Sequence, residues 1–572
     1  MTYAASLAAV TRTPVTLVIL TMDWCARTFG TSPCLATGEQ CYNTFPTCTY
    51  KTAFSKTTRE YKFTSVNAPL PFKTGERPYL SGVDYLPTEI KTTLTVTGRF
   101  SMTFLDEPDT DVYIDPYRAT RVSTVYLTSF WKKFLARNPN YRGRTVEIYE
   151  GFLGLAEADF VLKAKGTLES ISISRGTIKM EAVDLLKSLS DISVPPKLDI
   201  KVVADFLTAG AQCTVTDTTG LDSPAGYLLI DKEIMSYSGL DSVTHVLSGL
   251  TRGLFGTTAA DHAAKTKVQK ARYFALAKGF DILLDLLTVD GGITASFIDS
   301  TAFTYWEDWP GEDIQFTAII VEPTSLDKLY FEMIELMDCK SWVNEDNKIT
   351  IRRNIPNAPD RVYGEIGDDY HIVDKSTDAD LNEGSRLTRV SLYSDKSALG
   401  KLTDAQEYAR IDVAIDADAE SANEYNDVKE KSIYTRWLSS DTPIVEEDYA
   451  QYVKNLVSRI LLRHRDSQRI INLSTEIKDL DLKTGDYIRI STDEFLNIDG
   501  SPLADHPCEV VKREMDGNKV KFKTMLLPPE RVGFIAADTT PAYDSASDAE
   551  KEYGFITDDD GLINGYKGYY IW

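Results

Sequence analysis

Four cysteines lie close together near the start of the chain, at Cys25, Cys34, Cys41 and Cys48. Eight residues separate the first two, and six residues separate each later neighbour. Four thiolates can bind a tetrahedral metal ion or an iron–sulfur cluster. Zinc ribbons prefer closely spaced cysteine pairs, whereas wide gaps suit a cluster, whose ligands stand further apart than those of one ion. We therefore predict an iron–sulfur cluster of the four-iron type, held by all four cysteines.

Three other states of these cysteines remain open. They are a four-coordinate zinc ion, two disulfide bonds, and four unlinked thiols. Disulfides are disfavoured because nothing in the sequence indicates export to an oxidising compartment. The residues between the cysteines are mostly small, polar or turn-forming, so their N–H groups can reach cluster sulfurs. Six neighbouring aromatic residues are expected to shield the centre from water: Trp24, Phe29, Tyr42, Phe45, Tyr50 and Phe54.

The composition is that of a soluble, folded and acidic protein. The chain has 572 residues, of which 43% are hydrophobic and 26% charged, with a net charge of −23. Such a charge repels phosphate backbones, so stable nucleic-acid binding is not expected. The apolar run from Val15 to Leu20 is much shorter than the roughly 20 residues that cross a bilayer. We interpret it as a strand.

Periodicity predicts a multidomain, β-rich α+β chain, with barrel-like or sandwich-like domains and a few amphipathic helices. Short runs rich in Thr, Val, Ile and Tyr alternate between polar and apolar residues, which is typical of strands. Three segments instead repeat apolar residues at helical spacing, at 122–135, at 326–337 and at 446–465. Between residues 205 and 272, short strands and Gly-rich turns predict a small all-β insert.

A chain of this length exceeds one hydrophobic core and should fold as several units. We place six segments along it. They are 1–65, an N-terminal strand with the cysteine segment; 66–204, a β-rich domain; 205–272, the β insert; 273–365, an α+β domain; 366–530, an α+β domain with the helix at 446–465; and 531–572, a C-terminal extension that docks on this chain or a neighbour.

The cysteine segment resembles that of a known family. The string from Asp23-Trp24-Cys25 through Phe29-Gly30-Thr31-Ser32-Pro33-Cys34 to Cys41-Tyr42-Asn43-Thr44-Phe45-Pro46-Thr47-Cys48 is similar to one in tail-tip, or baseplate hub, proteins of long, flexible-tailed phages. Related hubs occur in gene transfer agents. In that family the four cysteines bind an iron–sulfur cluster. The resemblance implies the same ligands here.

A second resemblance lies in the insert. The segments Ile230–Gly239 and Leu247–His262 are similar to a small β module that recurs in phage tail proteins. Gly253 and Gly256 are expected in tight turns, and Arg252 and His262 are expected to hydrogen-bond the loop as structural groups.

The resemblance implies a structural virion protein rather than an enzyme. A hub of this family is a homotrimer that closes the distal end of the tail tube. It contacts the distal tail protein ring, the tape-measure protein, and a central fibre or receptor-binding proteins. It is assembled in the host cytoplasm, resides at the tail tip of the virion, and contacts the host envelope indirectly. DNA passes through it during host infection without stable binding, and an acidic lumen suits that passage.

Two other functions remain as alternatives: a receptor-binding protein, or adhesin, of the tail tip, and a cluster-based redox or sensor protein. Catalysis is not expected, because the sequence contains no G-x-S-x-G, H-E-x-x-H or dinucleotide-binding pattern. The acidic pairs Asp106-Glu107 and Glu446-Glu447 are adjacent in sequence, so their side chains point in different directions.

Overall fold

The computed structural model describes most of the chain between residues 13 and 527, together with four short strands near the C-terminus. Within 13–527, the segments outside the described residues are 38–40, 66–75, 87–97, 112–113, 120–127, 175, 308–313, 345, 355–361, 369, 374–375, 440–445, 477–481, 498–499 and 517–518. The chain is multidomain and β-rich, with several sheets and few helices, as predicted.

The first unit is a closed β-barrel of seven strands in the order β1-β2-β3-β4-β9-β8-β7. A short hairpin and one helix, α1, are connected to it. The elements are β1 (Pro14–Cys25), β2 (Lys56–Ser65), β3 (Glu76–Leu86), β4 (Arg99–Leu105), β5 (Pro108–Asp109), β6 (Thr128–Ser129), α1 (Phe130–Arg137), β7 (Thr145–Phe152), β8 (Val161–Ser174) and β9 (Thr177–Val183).

Side chains fill the barrel. Along β4, burial alternates so that Phe100, Met102 and Phe104 face inward. Helix α1 adds Trp131 to this core, with its ring stacked on Phe63 at 4.8 Å between centroids. The barrel interior is therefore a packed core, not a channel.

The predicted boundary at residues 65 and 66 falls inside this barrel. Strands β1 and β2 pair with each other, and β1 also closes the barrel through β7, from Pro14 opposite Phe152 to Leu20 opposite Val146. The N-terminal segment is thus not a separate unit. Pairing between such distant strands leaves no trace in local periodicity, which explains the misplaced boundary.

After the barrel, the chain forms the β insert with a core of its own, built from residues between Ile200 and Val268. The preceding elements are α2 (Leu185–Ser188) and β10 (Ser193–Val194). The insert strands are β11 (Ile200–Lys201), β12 (Gln212–Thr214), β13 (Gly226–Ile230), β14 (Glu233–Tyr237), β15 (Gly239–Asp241), β16 (Val246–Ser248), β17 (Thr251–Leu254) and β18 (Lys267–Lys278), arranged as the sheets β11-β18-β13-β14-β17 and β12-β16-β15.

A buried ionic network closes the insert loop. The Arg252 guanidinium donates two hydrogen bonds to the Glu233 carboxylate, at 2.6 and 2.7 Å. The His262 ring lies 2.9 Å from the same carboxylate and 2.8 Å from Asp231. The structural role predicted for Arg252 and His262 is confirmed. Glu233, the centre of the network, was missed because its burial depends on contacts distant in sequence.

This network predicts an acid-sensitive insert. Burial alone raises the pKa of Glu233, but hydrogen bonds from Arg252, Ala260 and His262 outweigh it and lower the pKa to about 2. A carboxylate with a depressed folded pKa stabilises the fold above its unfolded pKa of about 4.5 and loses that contribution as the pH falls towards 2. The protection factors of the β14 and β17 amides, which are exchange rates corrected for the intrinsic pH dependence of exchange, should therefore fall as the pH drops between these values. In Glu233→Gln, these protection factors should be low already at pH 7 and change less with pH.

The next unit packs helices and sheets around the largest core. Its elements are α3 (Gly279–Asp285), α4 (Ser300–Glu307), β19 (Gln315–Ile320), β20 (Thr324–Ser325), α5 (Leu326–Leu336), β21 (Cys339–Val343), β22 (Ile349–Arg353), β25 (Arg389–Lys396), β26 (Tyr408–Ile415), β27 (Glu430–Tyr434) and α6 (Glu446–His464). The helices predicted at 326–337 and 446–465 are confirmed: α5 buries Leu329 and Met333, and α6 buries Val453 and Leu456, in one shared core with Leu392. The predicted boundary at residues 365 and 366 lies within the chain segments that build this core.

The last large unit is a six-stranded sheet in the order β23-β29-β30-β31-β28-β24. Its strands are β23 (Val362–Gly367), β24 (Asp378–Asn382), β28 (Gln468–Glu476), β29 (Tyr487–Leu496), β30 (Pro502–Asp516) and β31 (Lys519–Leu526). Near the C-terminus, Phe555–Ile556 pairs with Tyr569–Tyr570, and Leu562–Ile563 pairs with Tyr566–Lys567. Docking of the C-terminal extension stays a prediction.

Candidate metal centre

The four cysteines lie at one end of the barrel, in and beside the loop that connects β1 to β2. Cys25 is the last residue of β1, and its N–H donates to Asn43 O across the loop at 2.8 Å. Cys25, Cys34 and Cys41 are buried, and Cys48 is half-buried. Cys48 follows a single 3-10 turn, Phe45–Thr47, and its N–H donates to Phe45 O at 3.1 Å.

Asn43 organises this loop. It adopts the left-handed conformation, with φ of 57°, and is buried. Its Nδ2 donates to Cys25 O at 3.0 Å and to Arg27 O at 3.2 Å, and its backbone N–H points at Cys41 Sγ at 3.5 Å. Asn43 thus fixes the backbone on both sides of Cys25 and donates a hydrogen bond to one candidate ligand sulfur.

Tyr117, from the chain between the β5–β6 hairpin strands, completes the arrangement. Its hydroxyl donates to Asn43 Oδ1 at 2.7 Å and accepts from the N–H of Phe29 at 2.9 Å. Sequence reasoning missed Tyr117, because it lies 69 residues beyond the last of the four cysteines and belongs to no motif. Only the fold brings it to the cysteine loop.

Helix α1 also contacts the loop. The Arg137 guanidinium lies over the Tyr42 ring, 3.8 Å from its centroid. Arg137 is held by Asp111, to which it donates two hydrogen bonds of 3.1 Å. Because α1 packs in the barrel core, the ring stack fixes the loop relative to the barrel.

The predicted aromatic shield is only partly present. Phe45 and Tyr50 are 45% and 41% exposed, so they do not exclude water. Trp24 lies under the Arg59 guanidinium, 4.4 Å from it, and Phe29 contacts the Tyr117 ring at 5.7 Å. The shield fails at Phe45 and Tyr50 because they belong to the outer part of the loop, where Phe45 packs edge-on against Phe54.

Electrostatics place the four thiols in one neighbourhood. Burial raises the pKa of the Cys41 thiol, the N–H of Asn43 opposes this, and nearby Cys48, Cys34 and Cys25 raise the pKa further. Negative charge on one sulfur is therefore disfavoured by charge on the others. A bound cation reverses this balance, because it attracts all four thiolates.

The seven cysteines are all unlinked thiols in the structure. No disulfide bond is formed among them. Within the described residues, no group of three or more His, Cys, Asp and Glu side chains stands close enough together to hold one metal ion. The iron–sulfur cluster stays a prediction.

Asn43→Ala should loosen the cysteine loop. The change removes four side-chain hydrogen bonds and leaves alanine at a positive φ, so we expect a loss of about 1–3 kcal/mol of local stability. Limited proteolysis of the loop should be correspondingly faster. Asn426→Ala is the matched control, because Asn426 has a similar φ of 50° but is exposed. Equal effects of both substitutions would show that backbone strain, not the side-chain bonds, dominates.

The described helices include none with the length and apolar character needed to cross a bilayer. The fold and the loop together describe a multidomain β-rich chain with four cysteines gathered at a barrel end.

Comparisons with known proteins are weak. No family model and no curated protein matches the chain. Among solved structures, a tail protein from Neisseria meningitidis MC58 is similar over 78% of this chain and 92% of that one, with 10% identity and a TM-score of 0.37. A 43 kDa tail protein of prophage MuSo2 from Shewanella oneidensis covers 77% and 92%, with 10% identity and a TM-score of 0.35. A chain from the virion of a native gene transfer agent particle covers 67% and 82%, with 10% identity and a TM-score of 0.32. These scores are too low to assign fold or function.

Proposed function

We propose that the chain is a non-enzymatic structural protein of a phage tail, the hub at the tail tip, in which an iron–sulfur cluster cross-links the loop between β1 and β2. One observation carries the cluster part of this proposal: the loop has almost no core of its own. Among its described residues between Cys25 and β2, the buried apolar side chains are Cys34, Cys41 and Ala53. A segment that cannot bury apolar surface needs another source of order, and sulfur ligation supplies it.

The four cysteines would hold the cluster, which supplies covalent-strength links between chain segments. The remaining residues have positioning roles. Asn43 aligns Cys25 and hydrogen-bonds Cys41, Tyr117 fixes Asn43, and Arg137 holds Tyr42 against α1. No electron acceptor is needed for such a role, so a cluster can be present without turnover.

The setting in a tail is supported by the two sequence resemblances, which cover the cysteine segment and the Ile230–His262 part of the insert. In such a setting the chain would form a homotrimer at the end of the tube. It would meet the distal tail ring, the tape-measure protein and a fibre or receptor-binding protein. The net charge of −23 suits a channel through which DNA must pass without sticking.

Particle assembly tests this function. Phage particles should be produced with the quadruple Ser variant of Cys25, Cys34, Cys41 and Cys48, and with a triple Ser variant of Cys213, Cys339 and Cys508 as control. The control cysteines are buried singly in other units. We expect tails to be missing or defective with the quadruple variant only, and tagged wild-type chain to label tail tips in electron microscopy. Infectious particles containing a metal-free quadruple variant would overturn the proposal.

A further inference from the structure

Among the residues that the structure describes, strand β26 is an open edge of the three-stranded sheet β26-β25-β27. One face of the strand is turned to α6, where Arg410 lies over the Tyr449 ring at 4.5 Å. On the other face, Ile411, Val413 and Ile415 are 54%, 50% and 52% exposed. Natural proteins usually blunt open edges with charges, prolines or bulges, and a regular edge with exposed β-branched residues invites pairing with another strand.

A second observation concerns Asp412, which lies between these residues on the helix-facing side. Its Oδ2 atom is buried, and it has no hydrogen-bond partner among the residues that the structure describes. Buried carboxylate oxygens are normally satisfied, because leaving them unpaired costs free energy. A cationic group from outside this chain, bound at the accessible part of this half-buried carboxylate, would stabilise its charge.

We propose that β26 pairs antiparallel with β26 of a second copy of this chain, with Ile411 opposite Ile411 across a two-fold axis. The register follows from the charges of the strand. With the axis at Ile411, Arg410 of each copy is directly opposite Asp412 of the other. Moving the axis by one residue places Asp412 opposite Asp412, or Arg410 opposite Arg410, and like charges at such positions are destabilising. One register therefore places opposite charges across the axis on both sides.

Pairing in this register joins two three-stranded sheets into one sheet of six strands. It satisfies the free backbone groups of both edges and places Val413 beside Ala409 of the second copy. Such a two-fold contact is distinct from the ring contacts of a trimer, because copies around a three-fold axis cannot use one surface isologously. The proposal therefore adds a self-association surface to the proposed tail function and does not depend on it.

Charge exchange tests the register. Sedimentation velocity of the purified full chain over a range of concentrations should reveal a two-chain species. Arg410→Asp and Asp412→Arg each oppose like charges and should raise the concentration of half-association roughly tenfold or more. The double variant exchanges both charges and should restore association. Arg410 also contacts Tyr449 within its own chain, so a single variant could lose association through misfolding. Restored association in the double variant excludes that explanation. Thermal melting of each variant accompanies the measurement.

Two further pairs of variants test whether β26 is the contact surface. Val413→Lys should abolish association, whereas Ile173→Lys should not, since Ile173 is equally exposed but lies on β8 of the barrel, outside the sheet that contains β26. Ile411→Cys should give disulfide-linked pairs under mild oxidation, and Ile415→Cys should not, because its counterpart lies far along the paired strands. A chain that stays single at all concentrations, a double variant no better than the single ones, or association insensitive to β26 variants would each overturn the proposal.

Discussion

Glu509→Ala should destabilise the C-terminal half of the chain by about 3–5 kcal/mol. Glu509, in β30, is 1% exposed. Lys340 Nζ, in β21, lies 2.7 Å from both of its carboxylate oxygens, and Arg463 Nη2, in α6, lies 2.7 Å from one of them. Removing the carboxylate leaves the Arg463 guanidinium buried without its anion and makes the Lys340 ammonium lose its proton, and both changes cost free energy.

The pKa values of Glu509 and Lys340 also reflect the excess of positive charge around this carboxylate. Although burial raises it, the pKa of Glu509 is lowered overall by Lys340 and Arg463, so the carboxylate is ionised. Burial and the Arg463 charge lower the pKa of Lys340 to about 7. One carboxylate faces two cationic groups, and the Lys340 ammonium is the one that loses its proton more easily. Without Glu509, Lys340 should lose its proton well below neutral pH.

Local hydrogen exchange in β21, α6 and β30 measures this effect within a chain of several units, where a single global unfolding free energy is not defined. Glu514→Ala is the control, because Glu514 is on the same strand but is exposed beside Lys512 and should cost less than about 1 kcal/mol. Equal exchange rates in the two variants would contradict the role assigned to the buried group.

Trp131→Ala should have a similar effect on the barrel, about 3–5 kcal/mol. The side chain is completely buried, contacts the rings of Phe63, Phe104 and Phe130 at centroid distances of 4.8–5.0 Å, and donates from Nε1 to Leu105 O at 3.2 Å. Its loss leaves a cavity at the centre of the aromatic core and an unpaired carbonyl.

The barrel also carries the cysteine loop, so Trp131→Ala should disorder that loop as well. Hydrogen exchange of the barrel amides at increasing denaturant concentration measures the loss of barrel stability. The rate of thiol labelling at Cys25 and Cys41 measures the disorder of the loop. Trp131→Phe should lose less, because it retains most of the ring contacts. Tyr370→Ala, at a side chain that is 72% exposed, provides the comparison for loss of an aromatic residue at the surface. Unchanged labelling in Trp131→Ala would uncouple the loop from the barrel.

The sequence predicted the parts of the fold that local periodicity encodes. Helices α5 and α6 follow their apolar repeats, and the insert strands follow alternation broken by glycine turns. It did not predict the closure of the barrel, because β1 and β7 pair across more than a hundred residues and register depends on the whole sheet. Nor did it predict that α5 and α6 share one core, since each apolar face is compatible with many partners.

The candidate site likewise has one part that the sequence predicts and another part that it does not. The cysteines are recognisable from type and spacing, and the turn-forming residues between them indicate a loop. The roles of Asn43 and Tyr117 could not be read from the sequence. Asn43 is one of several small polar residues in the segment, and its role depends on a left-handed backbone and on a hydroxyl from a distant loop. Contacts of this kind follow from tertiary structure alone.

The central claim is that four sulfur atoms converge on one inorganic centre, and elemental analysis of anaerobically purified chain tests it most directly. We expect about four iron and four acid-labile sulfide per chain, with broad visible absorbance, for the wild type and for the triple Ser variant of Cys213, Cys339 and Cys508. The quadruple variant of Cys25, Cys34, Cys41 and Cys48 should contain neither iron nor sulfide. A wild-type chain without iron and sulfide, or a quadruple variant that retains them, would contradict the assignment.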